Sequence, residues 1–201
     1  MTDAPQIYLV SPPEIDAAAA DRVAAVLDAH AVACLRLDLA TRDADRATRA
    51  ADLCRDLAHA RDVPIVVTDH AALVTALGLD GVHLTDPRAL RKLRADWGDE
   101  PVIGAFCAAS RHDGLVAGEN GADYVAFGPV AGGLGAGAPA GRDLFAWWSE
   151  MIEVPVVAEG GLDVAAIEAL APVCDFLALG EELWAQDDPA ARLRVLTAPL
   201  R

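Results

Sequence analysis

Short apolar runs alternate with longer segments of mixed polarity along the whole chain. Ile7-Tyr-Leu-Val10 begins the pattern, is closed by Ser11-Pro-Pro13, and reads as a strand. Glu14 to Ala29 follows, with Ile15, Val23, Val26 and Leu27 on one helical face. The same succession recurs. Ala33 to Leu39, Val63 to Asp69, Gly81 to Leu84, Pro101 to Phe106, Tyr124 to Phe127, a run ending at Glu159, and Asp175 to Gly180 read as strands. Asp43 to Arg61, His70 to Leu77, a stretch entered at Pro87, His112 to Asn120, Asp143 to Met151, a segment capped by Asp163, and Pro189 to Leu196 read as helices. Strands this apolar are buried on both faces, as in a parallel sheet. Eight regular strand–helix units predict an α/β chain closed into a single-domain (β/α)8 TIM barrel over residues 1–201. An open doubly wound sheet is the alternative, and it seldom fits eight units into 201 residues.

Composition narrows the chemistry. At 54% hydrophobic, the chain can bury one large core. A net charge of −15 argues against a nucleic-acid surface, and it means that any phosphorylated ligand must be held by local groups. No apolar run approaches membrane-spanning length, and Met1-Thr-Asp-Ala-Pro5 lacks a basic or apolar signal core, so a cytoplasmic chain without a membrane partner is expected. Cys34, Cys54, Cys107 and Cys174 form no C-x-x-C and are expected as reduced, buried thiols. The one lysine, Lys92, falls in a predicted helix, which disfavours Schiff-base chemistry. Trp147-Trp148 reads either as core beside surface or as an interface pair, so a homo-oligomer stays open.

Barrel chemistry collects at the C-terminal ends of the strands. The Gly160-Gly161 turn there, followed by a helix capped at Asp163, has the form of a phosphate-binding turn: glycines allow sharp backbone and close approach of N–H groups. Gly128 and Gly180 end neighbouring strands, and Arg142 closes the glycine-rich loop from Val130, where it could cover an anion.

Leu79-Asp-Gly-Val-His-Leu84, Ile103-Gly104, Gly121-Ala-Asp-Tyr-Val-Ala-Phe-Gly-Pro129 and Pro155-Val-Val-Ala-Glu-Gly-Gly161 occur in one order. Together they resemble the thiamine phosphate synthase family, including its thiazole tautomerase (TenI-like) branch, over essentially the whole chain. The resemblance implies a small-molecule ligand that is phosphorylated or thiazole-like. It also implies joining a pyrimidine methyl diphosphate to a thiazole phosphate, with magnesium and release of pyrophosphate. Asp69 matches one of the family's metal-binding aspartates, and Asp86 lies two residues before Arg88, which stands where the second is found. The family's Gln-x-Arg-x-Lys reads here Cys34-Leu-Arg36-Leu-Asp38, keeping Arg36 and putting a carboxylate in place of the lysine. Its Ser-x-His after strand five reads Phe106-Cys-Ala108.

The candidate set is therefore Arg36, Asp69 and Glu159 for catalysis, Asp69 and Asp86 for metal, and Gly128, Arg142, Gly160, Gly161 and Gly180 for phosphate. Structural roles compete with several of these. Asp69 also suits a helix cap, His83 a satisfied core histidine, and Arg36 an internal pair with Asp38 or Asp69. Glu159 suits a pocket acid or base, or a partner for a nearby arginine. Glu181-Glu182 bring two more carboxylates toward the Gly-Gly turn, where they disfavour a phosphate unless they turn away.

Overall fold

In a computed structural model, which describes residues 4–131 and 138–200, the apolar runs become eight parallel strands closed into a barrel. The order is β1 (Gln6–Val10), α1 (Ala17–Ala29), β2 (Cys34–Leu37), α2 (Ala44–His59), β3 (Ile65–Thr68), α3 (Ala71–Leu77), β4 (Gly81–Leu84) and α4 (Leu90–Trp97). Then follow β5 (Val102–Phe106), α5 (Arg111–Glu119), β6 (Tyr124–Phe127), α6 (Arg142–Met151), β7 (Val156–Glu159), α7 (Val164–Leu170), β8 (Phe176–Leu179), α8 (Glu181–Trp184) and α9 (Pro189–Leu196). Each strand pairs with its neighbour in sequence, and β8 returns to β1 through Ile7 opposite Leu177 and Leu9 opposite Leu179. The predicted barrel is present. β4 and β6 have the expected bounds, while β2 and β3 are each three residues shorter than their apolar runs: β3 stops at Thr68 because Asp69 takes a left-handed backbone, φ 58°. The short α8 was not anticipated.

Side chains alternate along each strand between the helical layer and the barrel axis. Leu9, Leu35, Ile65, Val82, Ile103 and Val125 face outward and pack under the helices in the main core. Tyr8, Val66, Tyr124, Ala126, Val157 and Ala178 face inward as a second cluster. The inward set works because glycine leaves room for a ring: a Cβ on Gly104 would lie 1.9 Å from the Tyr124 ring.

Aspartates do much of the local work. Asp16, Asp43, Asp163 and Asp188 cap α1, α2, α7 and α9 by accepting backbone N–H groups, as the side-chain chemistry of helix starts requires. At the opposite end of the barrel a two-strand repeat appears. Asp80, Asp123 and Asp175 stand just before β4, β6 and β8, and accept from the Ile65, Ile103 and Val156 N–H groups in the first or second residue of β3, β5 and β7, at 2.7–2.8 Å. Part of the acidity is thus structural.

Among the described residues no helix is long and apolar enough to cross a membrane. The four cysteines are free. Burial pushes the thiols of Cys54 and Cys174 up to about 12, which leaves them protonated and inert.

Candidate functional site at the barrel mouth

The upper half of the barrel interior holds a connected set of polar side chains. Arg36 ends the inward row of β2 and is almost fully buried. Its Nη1 donates to Glu159 Oε2 at 2.7 Å and lies 3.0 Å from His83 Nε2. His83 Nδ1 is 3.0 Å from the Tyr124 hydroxyl, and that hydroxyl is 2.6 Å from the hydroxyl of Tyr8. A guanidinium can only donate, so His83 Nε2 accepts and Nδ1 carries the proton. The direction of the first two links follows: Arg36 donates to His83 and His83 to Tyr124, whose hydroxyl shares a further hydrogen bond with Tyr8. Burial and then the adjacent Arg36 charge hold His83 well below its ordinary pKa, which keeps the ring neutral. Burial alone would loosen the Arg36 proton, but Glu159 outweighs this, so the guanidinium stays a fixed cation. Burial raises both tyrosines well above their usual value.

The arrangement settles which partner Arg36 takes. Glu159, on β7 across the barrel, forms the close pair, whereas Asp38 stands 3.9 Å away and Asp69 makes no bond to it. Glu159 therefore contributes an acceptor with one face toward the mouth, its side chain 18% exposed. His83 proves to be a satisfied interior histidine. Tyr8 and Tyr124 were missed as members of this network. Their only signal was their inward register, Tyr124 next to the Gly104 gap and Tyr8 beside Cys34.

Asp69 does not cap α3; its carboxylate accepts from the Thr85 N–H at 2.8 Å and from the Thr85 hydroxyl. Asp86 caps the 3-10 turn at Pro87 and is paired with the Arg88 guanidinium, which holds its carboxyl down to about 2. The two aspartates line one open groove beyond β3 and β4. Magnesium takes octahedral oxygen ligands, commonly one or two carboxylates beside substrate phosphates. Here both Asp69 oxygens are engaged by Thr85 and Asp86 is neutralised by Arg88, and no group of three His, Cys, Asp or Glu among the described residues is placed to hold a metal. In this arrangement a magnesium ion at Asp69 and Asp86 would have to compete with Thr85 and Arg88 for their carboxylates.

The Gly-Gly turn has the backbone that its sequence promised, with φ 82° at Gly160 and 75° at Gly161. Its carbonyl edge is covered, since the Val130 and Ala131 N–H groups donate to the Gly160 carbonyl. Its N–H edge is covered too. Glu182 Oε1 accepts from the Gly161 and Leu162 N–H groups at 3.1 and 3.0 Å, and Oε2 accepts from the Gly180 N–H at 3.1 Å. Gly180 and Gly161 thus converge on one point, as the phosphate reading required, but on a carboxylate of the chain itself. Gly128 gives its N–H to the Ala108 carbonyl and allows close passage of the Glu159 backbone, where a Cβ would sit 2.4 Å from an oxygen. Arg142 donates to the Ala169 carbonyl on α7 rather than to the turn. The loop expectation falls partly on residues 132–137, outside the described residues.

Comparison with known proteins agrees with this fold and with the motifs. The family profile described as thiamine monophosphate synthase matches residues 7–182. A thiamine-phosphate synthase of Rhodospirillum centenum is 40% identical over 189 residues, covering 92% of this chain and 91% of its own. One of Erythrobacter litoralis is 36% identical over 194 residues, covering 92% and 91%. In three dimensions the chain superposes on thiamine phosphate pyrophosphorylase from Pyrococcus furiosus with a TM-score of 0.84 at 18% identity, over 97% of this chain and 95% of the other, a likeness of fold. With a profile that spans most of the barrel and relatives aligned over nearly their full length, the chain belongs to the thiamine monophosphate synthase family.

Proposed function

We propose that this chain is a divergent member of its family that binds a small thiazole-like or phosphorylated molecule at the C-terminal mouth of the barrel, with weak or absent synthase turnover. The observation that carries this reading is the Arg36–Glu159 pair, 2.7 Å apart, at the strand end where the resemblance puts the cations of a pyrophosphate site. A leaving pyrophosphate needs uncompensated positive charge, and this arginine is already neutralised. The engagement of Asp69 by Thr85 and of Asp86 by Arg88 supports the same conclusion for the metal side of the reaction.

The relatives' name favours a second reading, an active thiamine-phosphate synthase in which Arg36, Arg88 and Arg142 take the phosphates and Asp69 and Asp86 are freed for magnesium. One assay separates the two. Pyrophosphate release is measured with magnesium, pyrimidine methyl diphosphate and thiazole phosphate, beside the Rhodospirillum centenum relative. The proposal predicts turnover at least about 100-fold lower, the cost of losing one main charge-stabilising contact. Comparable rates would establish the second reading. Ligand-induced thermal stabilisation without product would place the chain among non-catalytic ligand-binding barrels.

A further inference from the structure

Three backbone N–H groups, from Gly161, Leu162 and Gly180, point at one carboxylate, and these come from two separate strand ends. No helix dipole is needed for this. The positive φ at Gly161 turns its N–H inward, and Gly180 lies so close to β1 that a Cβ would stand 2.8 Å from Val10. Such converging donors form an anion site, and a charge-assisted bond to each is stronger than a neutral one. From this geometry we infer that Glu182 is a specificity residue: its carboxylate occupies the anion site, so the barrel selects a ligand without a phosphate group. A phosphate ester could enter only by displacing a tethered anion that is always present at high effective concentration. Glu159 at the neighbouring strand end is paired with Arg36, so that pair offers a phosphate no free cation in exchange. The inference rests on the preceding section for where the ligand lies. That reading is judged by turnover, and this one by phosphate binding with no substrate present.

The test uses inorganic phosphate as the probe, titrated into the full chain and into Glu182→Ala, with binding followed by calorimetry and by the amide resonances of Gly161, Leu162 and Gly180. Wild type is expected to show no saturable binding at millimolar phosphate and no shift of these resonances. Glu182→Ala is expected to bind at least about tenfold tighter, the loss of charge-assisted competing bonds being worth that or more, and its three amides should move together. Glu182→Gln, which keeps the side-chain length but loses the charge, is expected to change binding in the same direction and serves if the alanine variant does not fold. Equal phosphate affinity in wild type and variant, or no binding by either variant, overturns the inference.

Discussion

A single ion pair decides the character of the mouth. Arg36 is buried in an apolar barrel, and without Glu159 its charge would face no close anion: Asp38 is 3.9 Å away. Glu159→Gln should therefore destabilise the fold by about 2–3 kcal/mol, below the range for a fully buried pair because Glu159 is partly solvated, as measured by urea unfolding. No change would mean that water or Asp38 takes over the role. His83 provides a pH signature. The unfolded chain protonates this histidine below about pH 6.5, whereas burial and Arg36 keep the folded ring neutral. The unfolded state then holds the extra proton, so stability is at its full value above that pH and falls as the pH drops toward the lowered folded pKa. The slope approaches about 1.4 kcal/mol per pH unit for one group. Urea midpoints from pH 7.5 to 5.5 should show this contribution in wild type and lose it in His83→Gln; parallel curves would contradict it. Little of this network was legible in the sequence. Arg36 and Glu159 were visible as charges in apolar runs, but the partner of each depends on barrel closure, which brings β2 and β7 to the same axis. Glu182 was legible only as a charge near the turn, because sequence spacing does not show which way a side chain points.

At the scale of elements, strand identity was legible almost throughout, since a parallel strand buried on both faces is a short, continuous apolar run. Ends were less so. The backbone reversal at Asp69 and the single-turn helix after Gly180 depend on local contacts with Thr85 and Glu182 that no periodicity carries. The Gly-Ala-Asp-Tyr motif, read first as a family mark, divides by structure into two roles. Asp123 ties the start of β5 at the base of the barrel, and Tyr124 fills the interior beside Gly104. Asp123→Ala should cost about 1–3 kcal/mol, the penalty for leaving the Ile103 N–H unpaired, with ligand binding at the opposite end unchanged. Altered binding with full stability would reverse that assignment. Gly104→Ala forces a methyl into the Tyr124 ring and should cost about 1–3 kcal/mol, as overpacking does; a neutral result would show that the ring has room to move.

As a whole, the molecule is a barrel whose base is stapled by repeated aspartates and whose mouth pairs key groups internally: Arg36 with Glu159, Arg88 with Asp86, and the Gly161, Leu162 and Gly180 N–H groups with Glu182. The overall charge of −15 gives the molecule no general attraction for phosphates, so any anion must be held by local groups. The fold supports many chemistries, so the decisive evidence lies in what this mouth binds. The most direct measurement is calorimetric titration of the full chain with pyrophosphate, with and without magnesium. Internal matching of the charges predicts no saturable binding at millimolar pyrophosphate and no effect of the metal. Micromolar binding that magnesium tightens and Asp69→Ala abolishes would contradict it.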